Sequence, residues 1–447
     1  MTAMPDQSRL VDRAAELVAA ARRAGADAAD AVAFRRIGLS VDVRNGAVEE
    51  TQRSESDELS LRVFIGQRHA SISTNGLAAA DELAERAVAM AKVAPEDRFA
   101  GLAPQDRLAK EFPDLDLLDE TIPSPEQLVE RARLAEAAAL GVPGVSKSGG
   151  ASAGWSLGGA VLATSHGFSG SYLGSRHSVS ATAIAGEGTG MERDYDSDSK
   201  VHGSDLRDAA SIGKVAAERA VRRLYPTRLP TGPVNVVFDP RVAVSLLGHL
   251  AGAVNGSTIV RKTSFLQRAL GEQIFAPDIR ITDDPHRIRG LASRPFDGEG
   301  VAAEPFDLVS EGVLRTWFLD SATARELGLE TNGRAVGGGS NPHPSATNLT
   351  LLPGRQSPQE LLAAIGDGLY VTELIGHGVN GVTGDYSRGA GGFRIVNGEL
   401  AEAIGEITIA GNLRDMFRRL VAANDLEYRF AVNAPTVAIE GMTLAGR

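Results

Sequence analysis

The hydrophobic residues of this chain change period several times, and each change marks an element. Leu10, Val11, Ala14, Leu17, Val18 and Ala21 recur at helical spacing within Ser8–Ala24, which predicts an amphipathic helix. The period then drops to two. Ala31–Phe34, Leu39–Val43 and Leu59–Ile65 predict strands, with Asn45-Gly46 as a turn. Helical spacing returns over Leu77–Val93, and residues 94–123 are polar and proline-dotted, a connection with little regular structure. Ser124-Pro125-Glu126-Gln127 has the form of a capping box with proline at the first helical position, so a helix is predicted through Leu140. Val145–Glu187 alternates small apolar residues with Gly, Ser and Thr, which predicts antiparallel strands, and Asp205–Leu224 predicts a further helix.

Proline and glycine in Tyr225–Pro233 end elements on both sides, which places a domain boundary there and gives domains of residues 1–225 and 233–447. Val234–Phe238 predicts a buried strand, followed by a turn at Asp239-Pro240 and a helix. Along that helix Val242, Leu246, Leu250 and Val254 share one face, Asp239 suits the cap, and Pro240 suits the first turn. Strands are predicted at Gln273–Phe275, Ile279–Ile281, Phe306–Val309, Val313–Phe318, Asn348–Leu352, Leu369–Ile375, Gly392–Val396 and Glu406–Ile409. Helices are predicted at Ser357–Ile365 and Leu413–Ala422, and Thr331–Ser345 is a glycine-rich loop. The fold class is therefore α+β: an N-terminal α+β domain with an antiparallel sheet and helices, then a C-terminal β-rich domain, barrel-like or a sandwich, with a few helices.

Composition narrows the functional classes. At 447 residues the chain exceeds the roughly 150 expected of one domain, and 43% hydrophobic with 23% charged residues is ordinary for a soluble globular protein. The net charge of −11 supplies no global basic field for nucleic acid. Arg222-Arg223 and Arg418-Arg419 are short basic runs that read as solvated helix ends. With no cysteine there are no disulfides, thiolate ligands or cysteine nucleophile. The N-terminus lacks a hydrophobic signal core and no run approaches the ~20 apolar residues that span a bilayer, so a cytoplasmic protein without a membrane partner is expected.

Three constellations could carry chemistry. His249 stands in the helix after Asp239-Pro240, a usual place for a catalytic metal, but Ala253 four residues on is no ligand, and a lone histidine there reads as a core residue. Gly376–Gly381 matches G-x-G-x-x-G, yet the glycine-rich sequence after it has no helical period, so a dinucleotide site is not supported. The same stretch presents Asp385, Tyr386, Ser387 and Arg388, either as a binding loop or as a hairpin whose glycines merely turn the chain. Asp283, Asp284 and His286 bunch potential metal ligands without a second cluster to complete them. No G-x-S-x-G elbow, P-loop or C-x-x-C is present.

FDPRVAVSLLGHLAGAVNGSTIVRKTSF, ITDDPHRIRGLASRPFDGEG, TELIGHGVNGVTGDYSRGAGGFRIVNGEL and EITIAGNLRDMF together resemble the TldD/PmbA family, also called modulator-of-DNA-gyrase proteins, on its PmbA or TldE branch. SVDVRNGAVEETQRSESDELSLRVFIGQRHASISTN extends the resemblance into the N-terminal half. It implies a dimer enclosing a chamber, in which a TldD-type subunit holds zinc and cleaves peptides or unfolded proteins. TldD-type subunits carry His-Glu-x-x-x-His on the helix that here holds His249, and a cysteine ligand near the C-terminus. Aligned on Gly256, Leu247 and Gly248 stand at the first histidine and the glutamate, and Gly252 at the second histidine. His249 is two positions out of register.

The expected function is thus a metal-free TldE/PmbA-type subunit with no catalytic residue and no cofactor of its own, zinc belonging to a TldD-type partner. Asp385, Tyr386 and Arg388, with His249, are the candidates for substrate or partner contact, an extended peptide adding to strand edges around Thr383–Gly392. The alternatives are a homodimeric peptidase that uses His249 with Asp283, Asp284 or His286, and a peptide-holding homodimer without catalysis. The acidic balance gives no reason to expect direct nucleic-acid contact.

Overall fold

Why the chain alternates between long sheet and helix is visible in the first hundred residues. The computed structural model describes residues 7–75 and 79–446. Helix α1 (Gln7–Arg23) turns Ala14, Leu17, Val18 and Ala21 inward. Strands β1 (Ala28–Arg44) and β2 (Ala47–Ile65) then pair along their length around Asn45-Gly46, both at positive φ as a tight hairpin turn requires. Carboxylate oxygens of the buried Glu136 accept both turn amides, at 2.7 and 2.8 Å, so the turn is pinned from another element. Strand β3 (Arg68–Thr74) and helix α2 (Ala80–Val93) follow; the start of the helix predicted from Leu77 lies outside the described residues.

Helix α3 (Pro125–Leu140) begins at Ser124 with the predicted capping box. Strands β4 (Val145–Thr164), β5 (Ser169–Ala185) and β6 (Glu192–Lys200) complete a six-stranded antiparallel sheet in the order β3-β2-β1-β4-β5-β6, and helix α4 (Ala209–Arg222) closes this half. Residues 29, 31, 33, 41 and 43 of β1 and 151, 153, 161 and 163 of β4 share one parity, and all pack beneath the four helices. The helices therefore cover one face of the sheet, and the other face meets the C-terminal half through Leu162, Phe168 and Phe296.

The C-terminal half opens with β7 (Gly232–Phe238), α5 (Pro240–Ala253) and α6 (Gly256–Val260). Short strands β8 (Ile281–Asp283), β9 (Phe306–Ser310) and β10 (Val313–Leu314) follow, then α7 (Ser321–Leu327), a ribbon of β11 (Ala335–Val336) and β12 (His343–Pro344), and β13 (Leu349–Leu351). Helix α8 (Pro358–Ile365) precedes β14 (Gly368–Ile375), β15 (Asp385–Val396) and β16 (Glu399–Asn412). Helix α9 (Leu413–Arg418), β17 (Leu420–Ala422), β18 (Val432–Asn433) and β19 (Val437–Ala445) end the chain.

Strands β16-β15-β14-β7-β19 run side by side, and Thr408, Ile409 and Ala410 of β16 pair back onto Ala445, Leu444 and Thr443 of β19. The sheet thus closes into a five-stranded barrel, with β17 on the far part of β19. A second sheet, β10-β9-β8-β13-β18, lies across from it. Val242, Leu246 and Leu250 of α5 share one core with Val236 and Phe238 of β7 and with Leu349 and Leu351 of β13, while Val237 faces the opposite way onto Leu361 and Ile395. The fold is α+β, with a barrel in the C-terminal half. Among the described residues no helix is long and apolar enough to cross a membrane.

Several elements differ from the sequence expectation. Ala31–Phe34 and Leu39–Val43 are one strand, and residues 47–58 of β2 are strand although all are exposed. Hydrogen bonding to β1 holds them without an apolar face. Strands β6 and β19 are not among the elements that the sequence pattern predicts. Gln273–Phe275 makes only a bridge from Gln273 to Val313, and the strand at Val313–Phe318 stops at Leu314. The helix predicted over Leu413–Ala422 ends at Arg418, because residues 420–422 pair with β19 instead.

Candidate functional site

Strand β6 carries the chemistry that ties the halves together. Asp194, Asp196 and Asp198 alternate along it, all buried, because period two puts them on the face that packs under α4. Asp194 accepts a bidentate pair from Arg241 in the first turn of α5, at 2.5 and 3.0 Å, and lies 3.6 Å from Arg223. Asp196 meets Arg207 at 2.7 Å, Arg219 at 3.1 Å and Arg429 at 3.2 Å. Burial pushes the Asp196 carboxyl up, but the hydrogen bond from Arg207 and the charges of all three arginines hold it below its ordinary value. Arg223 is no solvated helix end; it is largely buried between Glu192, Asp194 and Glu373. Arg418 and Arg419 are exposed.

The same arginines finish the edge of the sheet. Arg223 donates to the carbonyl of Arg193, Arg219 to that of Tyr195, and both Arg207 and Arg429 to that of Ser197. Every second carbonyl of this part of the edge strand is thereby occupied, which removes the template that an open edge offers to another chain.

Beside β6 lies a cleft of about 360 Å³ between the two halves. Thr182, Arg193 and Tyr195 come from the sheet; Arg241 and Ser245 come from α5, and Thr372, Glu373 and Arg388 from the barrel. The Thr372 hydroxyl is buried and has no hydrogen-bond partner. Arg388 donates through Nε to the carbonyl of Ile375 at 3.3 Å and forms no ion pair among the described residues.

The residues singled out from sequence fall into two groups here. Tyr386 is 1% exposed and its ring meets that of His249 edge-on, centroids 6.0 Å apart, with Arg388 close by. Neither the Tyr386 hydroxyl nor His249 Nε2 has a partner. Burial pushes the His249 pKa down and the Arg388 charge pushes it further, so the imidazole is neutral near pH 7. Asp385 stands apart: strand alternation turns it outward, where it accepts from Thr383 at 2.6 Å and Asn412 at 3.1 Å. Residues 385–388 lie on β15 rather than on a loop: β16 pairs along one side of them, and on the other side the Gly378–Asn380 connection bonds to Asp385, Tyr386 and Ser387 before β14 takes over from Gly389. The expected free strand edge for a peptide is therefore not there. Gly376–Gly381 connects β14 to β15 with no helix after it, so the G-x-G-x-x-G match lacks the geometry that phosphate binding needs.

The metal alternatives can be tested on donor geometry. Leu247 is a core residue, 3% exposed, while Gly248 and Gly252 lie on the exposed side of α5. A Cβ added at either glycine would meet nothing within 4 Å. These positions offer no donor, so the residues present do not fit a zinc ion. Asp283 is consumed by Arg334 at 2.5 Å and by the amide and hydroxyl of Thr347 at 2.7 and 2.8 Å. Asp284 accepts the amide of His286. Among the described residues no three His, Cys, Asp or Glu side chains gather closely enough to share a metal ion, so His249 does not join Asp283, Asp284 and His286.

A helix-covered antiparallel sheet joined to a closed barrel, with one face of a helix beside the joint packed on the barrel's core, is the architecture of a known family. The chain belongs to the PmbA/TldA metallopeptidase family, whose domain 1 matches residues 29–91, central domain residues 119–224 and C-terminal domain residues 231–446. It is 37% identical over 445 residues to Metalloprotease PmbA of Escherichia coli O157:H7, covering 99% of this chain and 97% of that one. A Metalloprotease PmbA homolog of Haemophilus influenzae is also 37% identical, over 95% of this chain and 94% of its own. Among solved structures, a protein described as a modulator of DNA gyrase from Bacteroides thetaiotaomicron superposes with a TM-score of 0.91 at 29% identity over the whole of both chains. TldE from Thermococcus kodakarensis shares the fold, with a TM-score of 0.84 at 20% identity over 97% of this chain and all of that one.

Proposed function

We propose that this chain is the metal-free subunit of a two-component peptidase, working in the cytoplasm with a TldD-type zinc metallopeptidase that cleaves peptides or unfolded proteins. The observation that carries the reading is on α5. Where the resemblance places a metal-binding His-Glu-x-x-x-His, this chain has Leu247 in the core and Gly248 and Gly252 without side chains. A catalytic zinc needs three protein donors and a water, and neither this helix nor a cysteine supplies them. In such a pair this chain shapes the chamber and orients substrate, and the zinc and the cleaving water belong to the partner. The net charge of −11 argues against direct contact with DNA.

The names of the relatives favour a second reading, in which the chain is itself a metallopeptidase. One experiment separates them. The purified chain is assayed on an unfolded protein substrate alone and mixed with a TldD-type partner, with and without a chelator, and its zinc content is measured. Activity only in the mixture, with substoichiometric zinc in this chain alone, is the expected result. Chelator-sensitive cleavage by this chain alone, lost in His249→Ala, would establish the second reading.

A further inference from the structure

The cleft beside β6 has a donor surplus that the ion pairs around it leave unspent. Arg241 and Arg223 are committed to Asp194, Glu192 and Glu373. Arg193, from the sheet, and Arg388, from the barrel, both line the cleft and form no ion pair among the described residues. Thr372, 7% exposed as a residue, adds a buried hydroxyl that bonds to nothing. Guanidinium groups only donate, so the group that completes this cleft is an acceptor carrying negative charge.

Two of the cleft's residues, Arg241 and Ser245, also stand on an open strip of α5. Arg241, Ser245, Gly248 and Gly252 follow at intervals of four, three and four, which sets them in a strip along one side of α5. At the two glycines the strip has no side chain, and a Cβ there would meet nothing within 4 Å. From Ser245 to Gly252 the strip runs about 10 Å, the length of about three extended residues. A small inorganic anion would occupy only part of the cleft. A peptide end would place its carboxylate in the cleft and lay its backbone over the glycines.

We propose that this cleft takes the C-terminal carboxylate of a peptide between Arg388 and Arg193, with Thr372 as a further donor and the glycine strip of α5 as the floor for the preceding residues. The site rests on the proposed role in peptide handling and specifies it: the substrates are free-ended peptides rather than internal segments of long chains.

The test compares N-terminally fluorescein-labelled hexa-alanine as free acid and as C-terminal amide, by fluorescence polarisation against the full-length chain, alone and mixed with a TldD-type partner. The acid should bind about tenfold tighter or more, a preference that shrinks as salt rises. Arg388→Gln should abolish the preference, Arg193→Gln should reduce it, and the latter keeps the test valid if the former fails to fold. Equal binding of acid and amide overturns the site. So does inorganic phosphate displacing the labelled acid at the concentration at which unlabelled hexa-alanine does, because the cleft would then hold small anions without a peptide. Pairing with the partner is read separately by size-exclusion chromatography. Lost acid preference with pairing intact sinks the site alone, and absent pairing with the preference intact sinks the partner-subunit reading alone.

Discussion

Replacing Gly248 and Gly252 by alanine probes the open side of α5 directly. Both residues lie within the helix, neither has a positive φ, and an added methyl group meets no atom within 4 Å. The change in the folded state is therefore the gain in helix propensity, about 0.8–1.0 kcal/mol for a glycine in a helix interior. Gly248 should give most of this. Gly252, next to the last residue of α5, should give less, because the final turn frays. The double variant is expected to be more stable by about 1–1.5 kcal/mol, which for a region of this size raises Tm by about 2–6 °C. Calorimetry on the purified chain measures it. A fall in Tm would refute the reasoning, since it would mean that the strip is covered in solution by something the methyl groups displace. A gain in Tm together with weaker support of the partner's peptidase activity would show glycines retained for room at the expense of stability.

Three further expectations follow from buried charge. Burial, then the charge of Asp297, raises the Glu299 pKa to about 7, so the folded state keeps a proton that the unfolded state releases above about pH 4.5. The stability from this group is present in full below that pH and is lost as pH rises through 7; Glu299→Gln should flatten the fall in urea midpoint between pH 5 and 8, and an unchanged slope would refute it. Asp194→Ala leaves Arg241 and Arg223 without their shared carboxylate and should cost about 3 kcal/mol, measured by urea denaturation, with a loss under about 1 kcal/mol counting against the joint. Arg219→Ala uncovers the Tyr195 carbonyl on the edge of β6 and should increase concentration-dependent light scattering on mild heating; scattering identical to the parent chain would show that the remaining arginines suffice.

How much of this was legible in the sequence depended on whether apolar residues carried the pattern. The run from Val234 to Ala253 is legible almost to the residue, because its strand, cap, proline and apolar helical stripe are all local signals. Strand β6 is not legible although its period is as regular, since Asp194, Asp196 and Asp198 fill the positions where a buried strand usually has valine or isoleucine. An alternation of aspartates was the available signal, and arginines from residues 207 to 429 were needed to explain it. Tyr386 and His249 each stand out in the sequence, yet their contact joins residues 137 positions apart across two elements, which no local pattern encodes. The cleft was invisible for the same reason: its walls come from β5, β6, α5, β14 and β15.

The arginine-laced strand also sets what kinds of change the gene can tolerate. Because side chains alternate strictly along β6, a single-residue insertion before Asp194 would turn all three aspartates to the opposite face and bring Tyr195 and Ser197 under α4. Arg207, Arg219, Arg223, Arg241 and Arg429 would lose their aspartate partners together, and with them the hold of the sheet on the first turn of α5. An insertion of two residues would preserve the alternation. Between relatives, length differences in the turn from Ala185 to Glu192 are thus unconstrained in parity only if the turn absorbs them, whereas within the strand itself they must come in pairs.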